Sequence, residues 1–472
     1  MIIDVHWAGI VGALAGLAHL VIAGSVTVHV LLNKRDVGAA ISWMGIAWLS
    51  PFLGGLLYVT FGINRVKRRA QRLRRERSHL FVVADTLPGA VGSGPLTPLE
   101  YAIGRLTGLP TATGNTAEML ASGDEAYPRM LAAIDAAEKT VGLCSYIFRA
   151  DTIGQAFVEA LLRACRRGVQ VRVLIDGVGG GYFLSGAYFD LRRAGVPVAR
   201  FLHSYLPWRM PFLNLRNHRK VLVIDGRIGF TGGLNIGDEN VTAKRPAHPV
   251  HDTHFRLEGP VVEQLTEAFA DDWLFQTGER LADDGWFPDV PETGSIAARV
   301  VTSGPDEDLE QIEFVALHAV ACARHSIRVV TPYFLPPDAL TTALGQAAMR
   351  GIKVDIVVPA HSNHRFVDWA RRVPMRSMVG AGVNVWLVPP PFDHSKLMTI
   401  DDAWSLIGSA NWDTRSFRLN FELTVEMQDA DFARRIGQVI RTGRAMTLAE
   451  LEGDSLPVRL RSGAARLLQP YL

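Results

Sequence analysis

Cysteine, lysine and net charge are all scarce in this chain. Its 472 residues hold three cysteines, Cys144, Cys165 and Cys322, an odd number in apolar or helical contexts and without zinc-ligand spacing. Neither a disulfide framework nor a structural zinc site organises such a chain, and buried free thiols in a reducing compartment are expected. His251, His254, His361 and His364 have no accompanying carboxylate or cysteine set, so neither a metal nor any other cofactor is expected. The formal net charge is only +2, and it is unevenly spread. Arg65, Lys67, Arg68, Arg69, Arg72, Arg74, Arg75 and Arg77 crowd one segment, with Glu76 the only acid among them. Outside that segment 41 basic side chains face 46 acidic ones, which argues against nucleic acid as a partner.

Two long stretches lack charge altogether. Ala8 to Leu32 and Val37 to Gly62 contain no Asp, Glu, Lys or Arg. About 20 apolar residues suffice for a helix to cross the hydrocarbon core, so a two-helix transmembrane hairpin over residues 1–64 is expected. The basic run follows the second stretch directly. The positive-inside tendency then puts everything after it in the cytoplasm, and the run is suited to anionic membrane lipids.

Of seven lysines among 42 arginines, two fall inside copies of one pattern, His-x-Lys-x-x-x-x-Asp. The first copy is His218, Lys220 and Asp225; the second is His394, Lys396 and Asp401. The flanks repeat as well. Gly232-Gly233-Leu234-Asn235 and Gly408-Ser409-Ala410-Asn411 lie at equal distances beyond the two histidines, and Tyr146 with Phe148 is echoed by Tyr333 with Phe334. Two copies at long period indicate a duplicated unit, with halves at 114–300 and 301–472 after a basic segment and linker at 65–113.

Each half alternates apolar strands with helices: helix 124–139, strand 141–148, helix 151–167 and strand 169–175, then helix 309–324, strand 327–331, helix 339–350 and strand 352–358. That order predicts an α/β fold with largely parallel sheets covered on both faces. The motifs read as buried strands, since Val221 to Ile224 leave no polar face. On a strand, His218 and Lys220 share one side and Asp225 takes the other, so the aspartate suits a structural task better than proton transfer. An imidazole beside an ammonium suits a phosphate: the lysine neutralises oxygens while the imidazole attacks or protonates. Asn235, Ser409 and Asn411 could donate to phosphate oxygens, and Gly232, Gly233 and Gly408 allow close backbone approach.

These paired motifs resemble the phospholipase D superfamily, and within it the bacterial cardiolipin synthases of the phospholipase D type. The likeness covers nearly the whole chain, including Asp151-Thr152-Ile153-Gly154, Thr331-Pro332-Tyr333-Phe334, Asn411-Trp412-Asp413-Thr414-Arg415-Ser416-Phe417 and the terminal Arg466 to Leu472. It implies two repeated phospholipase D-type α/β sandwich domains with mixed sheets, in a multi-pass protein of the bacterial cytoplasmic membrane. It also implies metal-free phosphatidyl transfer between two phosphatidylglycerol molecules through a phosphohistidine. His218 would attack and His394 would protonate the leaving glycerol, with Lys220, Lys396, Asn235 and Asn411 around the phosphate. Asp225 and Asp401 complete the catalytic motifs. Glu422 matches a family position that steadies an imidazole and is grouped with the substrate-contacting residues. Asp252 is the weaker candidate for the same task in the first half.

The segment Tyr205 to Phe212 mixes aromatics with Arg209 and is expected either to touch the membrane interface or to be a core loop. A hydrolase yielding phosphatidic acid and a non-catalytic lipid scaffold are the other functions the resemblance leaves open, as is a different acceptor alcohol.

Overall fold

A computed structural model of the chain describes residues 2–34, 37–62, 94–183, 185–203, 215–304, 310–467 and 469. The basic run and the segment Tyr205 to Phe212 lie outside the described residues. The chain forms two compact units, one from the N-terminal helices and one holding nearly everything after them.

In the first unit the charge-free sequence forms α1 (Ile2–Asn33), α2 (Val37–Leu49) and α3 (Pro51–Leu57). Only one described helix, over Ile10–Asn33, is long and apolar enough to cross a membrane. The second expected span is not one helix: it divides at Ser50, because Pro51 has no N–H with which to continue α2 and instead starts α3. Both pieces pack on α1. Trp48 Nε1 donates to Thr27 Oγ1 at 3.0 Å, and His29 Nδ1 lies 2.7 Å from the Tyr58 hydroxyl. Leu14, Leu17, Leu20 and Leu32 face outward, each more than half exposed.

The second unit is built on a sheet. Its first half supplies β1 (Ala112–Ala121), β2 (Thr140–Ser145), β3 (Gln170–Asp176), β4 (Val198–Phe201), β5 (Arg216–Asn217), β6 (Val221–Ile224), β7 (Ile228–Gly232), β8 (Val250–His251) and β9 (Thr253–Glu258). The second half supplies β10 (Ile296–Ser303), β11 (Ser326–Val330), β12 (Phe334–Leu335), β13 (Lys353–Pro359), β14 (Asn384–Val388), β15 (Phe392–Asp393), β16 (Leu397–Ile400), β17 (Trp404–Gly408), β18 (Trp412–Asp413), β19 (Asn420–Gln428) and β20 (Arg444–Ala445). The main path runs β20-β14-β13-β11-β16-β17-β19-β10-β1-β9-β7-β6-β2-β3-β4. Read outward from the central β1–β10 pair, the two arms have the same order. Their registers match too: Gly232 pairs with His254 as Gly408 pairs with Thr424.

This corrects the expected sheet. Only β2–β3, β3–β4, β11–β13 and β13–β14 are parallel along that path, and the other pairs are antiparallel. The helix-connected strands at the outer ends gave the parallel signal. The central strands are joined by tighter connections or by pairing between halves, and β1, just after the linker, is a strand the sequence pattern does not announce, because Ala112 to Ala121 shows no alternation. Helices Ser122–Ala136, Thr152–Arg166, Gln311–Cys322 and Asp338–Met349 fall within a few residues of the expected positions. Cys144 is buried, Cys165 and Cys322 half-buried, and all three are free.

The aspartates of the repeated motif explain how the strands stop. Asp225 and Asp401 both sit at positive φ, 52° and 54°, in the turn after β6 and after β16. Asp225 accepts from the backbone N–H groups of Glu138, Lys139 and Thr140 at 2.7–2.9 Å. Asp401 accepts from those of Arg324, His325 and Ser326 at 2.7–2.8 Å. Each carboxylate therefore ties the end of its motif strand to the start of the neighbouring strand. They belong to the fold and not to the catalytic set in which the motif places them. Replacing either with alanine should orphan three backbone donors and lower stability by about 2–4 kcal/mol. Denaturation of the detergent-solubilised protein measures this, and the correctly folded fraction should keep its substrate KM.

Candidate active site

The strand in each motif begins only after the lysine, so His218 to Lys220 and His394 to Lys396 lie in the irregular segments that lead into β6 and β16. Their positions are set from across the molecule. β5 pairs with the start of β19, and the His218 N–H donates to the Phe421 carbonyl at 2.9 Å. β15 pairs with β8, and the His394 N–H donates to the His251 carbonyl at 2.7 Å. The next residue along supplies the carboxylate in both cases. His218 Nδ1 lies 3.0 Å from Glu422, and His394 Nδ1 lies 2.8 Å from Asp252 Oδ2. Each imidazole is thus held, by backbone and by side chain, from the opposite half. Asp252 and Glu422, the two carboxylate candidates, therefore each contact the imidazole of the other half.

Both lysines turn back on their own histidines. Lys220 Nζ donates to the His218 carbonyl at 2.7 Å. Lys396 Nζ donates to the His394 carbonyl and lies 3.0 Å from His394 Nδ1. The Tyr146 ring meets the His218 ring edge-on at 4.7 Å, and Tyr333 meets His394 the same way at 6.1 Å. These tyrosines were visible only as a repeated aromatic pair; their repetition at matched positions was the signal. Their partners, Phe148 and Phe334, are core residues.

Burial dominates the electrostatics. It lowers His218 to about 4, Lys220 to about 7 and Lys396 to about 8, and drives His394 well below its usual value. Asp252 is pushed up to about 6 by burial, against the pull of Lys396. Burial also raises Glu422, but His218, Lys220 and the Ser409 hydroxyl outweigh it, and the carboxyl stays below its usual range. Lys396 depresses His218, while Lys220 and His218 depress His394, so the two motifs form one electrostatic site.

The glycine-containing turns do less for a phosphate than expected. Gly232 and Gly408 have φ near 150°, and a Cβ there would lie 2.7 Å from the Thr253 carbonyl or 2.3 Å from the Leu423 carbonyl. They allow close approach of strands. Ser409 Oγ is committed to Glu422 Oε2 at 2.5 Å and accepts from the Leu423 N–H at 3.0 Å, so it positions a carboxylate. Glu422 likewise holds His218 and is not placed as a substrate contact. At the equivalent place the first half has Gly233, where a Cβ would lie 2.3 Å from Asp252 Oδ1. Asn235 Oδ1 accepts from the Ile147 N–H at 3.3 Å, whereas Asn411 is buried with no partner for its Oδ1. Asp151 and Asp413, both in stretches that carry the family resemblance, cap helices by accepting from Gly154 and Ser416 N–H groups at 2.9 and 2.7 Å. Among the described residues no group of three His, Cys, Asp or Glu could hold a metal ion. His251 instead lies 3.5 Å from Asp393, and His364 packs 5.6 Å from the Tyr333 ring.

Residues 130–273 and 317–442 match the family model described as cardiolipin synthase, phospholipase D-like domain. The cardiolipin synthase of Geobacillus kaustophilus is 33% identical over 98% of this chain and 95% of its own length. Cardiolipin synthase A of Pseudomonas entomophila is 33% identical over 99% of this chain and 100% of its own. Among solved structures, phosphatidylserine synthase of Haemophilus influenzae shares the fold, with a TM-score of 0.59 at 16% identity over 79% of this chain and 100% of that one.

The Gly233 contact makes a directional test. Gly233→Ser should displace Asp252 from His394 and lower phosphodiester turnover roughly a hundredfold or more. Ser409→Ala leaves the Glu422–His218 contact in place and should cost only about tenfold. Steady-state kinetics of both variants, with circular dichroism to confirm folding, separates the two outcomes.

Proposed function

The chain belongs to the phospholipase D-like cardiolipin synthase family, and we propose that it joins two phosphatidylglycerol molecules into cardiolipin and glycerol. The observation that carries this reading is the pair of buried histidine–carboxylate dyads, crossed between the halves, with a lysine beside each. One imidazole can attack phosphorus while the other handles the proton of the oxygen that leaves or enters.

The environments of the two dyads favour different roles. Glu422 stays ionised and accepts from His218 Nδ1, leaving the Nε2 lone pair of a neutral ring for attack. His218 Nε2 forms a bond to the donor's phosphorus as the bond to the glycerol oxygen breaks, and the His394–Asp252 pair, which takes up one proton along with the anionic phosphodiester, passes that proton through His394 to the departing oxygen. The terminal hydroxyl of a second phosphatidylglycerol then gives its proton to His394 and attacks phosphorus, and the phosphorus–nitrogen bond breaks. Asp252, raised to about 6, suits the dyad that must gain and lose a proton near neutrality. Lys220, Lys396 and the amides of Asn235 and Asn411 attend the phosphate oxygens. Burial of both dyads disfavours water as the acceptor.

Residues 37–62 return along α1 and cross the bilayer with it as a hairpin, with outward leucines in lipid and the basic run on the cytoplasmic face of the bacterial membrane. The halves 114–300 and 301–472 descend from one duplicated unit.

Mass spectrometry of products from phosphatidylglycerol vesicles should show cardiolipin and glycerol with the native protein. Either His218→Ala or His394→Ala should lower that turnover by about four orders of magnitude. Histidine-dependent phosphatidic acid in place of cardiolipin would make the protein a hydrolase, and unchanged turnover in both variants would remove the catalytic assignment.

A pH profile tests the lysines separately. Their ammonium groups are lost as pH rises through about 7 for Lys220 and about 8 for Lys396, so kcat/KM should fall on the alkaline side of that window. A bound phosphodiester raises both values, so kcat should fall at higher pH than kcat/KM. A flat kcat/KM from pH 7 to roughly 9 would contradict this.

A further inference from the structure

The last helix, Leu456–Leu467, is amphipathic with its apolar stripe turned away from the protein. At 100° per residue, Leu456, Leu460 and Leu467 fall within an arc of about 40°, and they are 65%, 65% and 80% exposed. Ser462 and Ala465, on the far side of the helix, are buried. Arg459, Arg461 and Arg466 flank the stripe on both sides, and the helix contains no acidic residue. The neighbouring helix Arg365–Ala370 adds Phe366, itself half exposed.

This surface is joined to the wall of the active site. Ala465 shares a small core with Leu335, Val367 and Ala370, and Tyr333 and Trp369 pack against it. Gln469 Nε2 donates to the carbonyls of Leu335 and Pro336 at 2.9 and 3.2 Å, and Arg466 pairs with Asp338 at 2.8 Å. The Arg461 guanidinium lies over the Trp369 ring at 4.7 Å. The Tyr333 hydroxyl donates to Asn363 Oδ1 at 2.8 Å while its ring faces His394. A rigid path of packed side chains therefore runs from the leucine stripe to one imidazole.

We propose that the helix Leu456–Leu467, with Phe366, docks on a bilayer surface bearing anionic headgroups and holds the His394 side of the active site against the lipid from which substrate enters. Leucines enter the headgroup–acyl boundary and arginines meet the phosphates, the arrangement of interfacial helices. An acid-free helix flanked by three arginines favours an anionic lipid surface over a second copy of this nearly neutral chain. The proposal uses the lipid chemistry of the proposed function, but its physical test does not require turnover.

The test uses full-length protein in vesicles of phosphatidylglycerol and phosphatidylcholine. Cys165→Ser and Cys322→Ser remove the half-buried thiols, and a fluorophore is attached at Leu460→Cys or, as a control, at Glu138→Cys on an exposed turn. Lipid brominated just below the headgroup should quench the first label several-fold more than the second, and less so when phosphatidylglycerol is omitted. Leu456→Ser, Leu460→Ser and Leu467→Ser combined should lower turnover of bilayer lipid about tenfold while leaving a short-chain, monomeric lipid within roughly twofold. Equal weak quenching at both labels overturns the proposal whatever the activity. So does a detergent-resistant dimer lost in the serine variant without lipid quenching, which assigns the stripe to a second copy. Strong quenching with no cardiolipin formed would uphold docking and defeat the catalytic reading instead.

Discussion

Everything at the site depends on one exchange between the halves. The dipeptide Phe421-Glu422 gives a carbonyl to the His218 N–H and a carboxylate to its ring, and His251-Asp252 does the same for His394. Neither half can complete its own imidazole. The central β1–β10 pair, with the β5–β19 and β8–β15 pairs, is what makes the exchange possible, so the sheet and the catalytic geometry are one structural problem.

That arrangement concentrates buried charge, which only mutual satisfaction makes tolerable. Glu422 takes bonds from His218, Ser409 and Asn420, and Asp252 takes bonds from His394 and the Thr253 N–H. Arg299 and Glu426 form a comparable buried pair at 2.8 Å on neighbouring central strands, with Trp404 Nε1 on the same carboxylate. Low dielectric weakens the lysines as bases and makes their charge effective where an anionic phosphate arrives. The two halves strike this balance with different parts: serine with glutamate in one half stands where the other has glycine with aspartate. The two pairs occupy similar space, since Gly233 leaves room for the Asp252 carboxylate.

Much of this was legible in the chain. The repeated motifs marked His218, Lys220, His394 and Lys396, and the echoed flanks marked the tyrosines without explaining them. The outer helices and strands followed from periodicity, because each is a local amphipathic segment. β1 did not, since its residues are chosen by pairing with β9 and β10 and not by one wet and one dry face. The break at Pro51 was in plain view within a run whose apolar composition alone reads as a single span. Strand alternation suggested a structural task for Asp225 and Asp401 while the motif grouped them with the catalytic residues; a left-handed turn, and not strand parity, aims them at backbone N–H groups.

Residue identity and spacing by themselves determined the family, the paired histidines and lysines that the fold brings together, and the apolar N-terminal segment. These are local properties, carried by which groups the chain contains and how far apart they fall. Tertiary structure alone decided which carboxylate meets which histidine, that Ser409 bonds Glu422, and that the last helix turns its leucines outward. Such facts arise from strands that meet across some 200 residues, His218 with Glu422 for one, and from burial that only the folded sheet creates. No local pattern encodes the partner of a group whose partner lies in the other half.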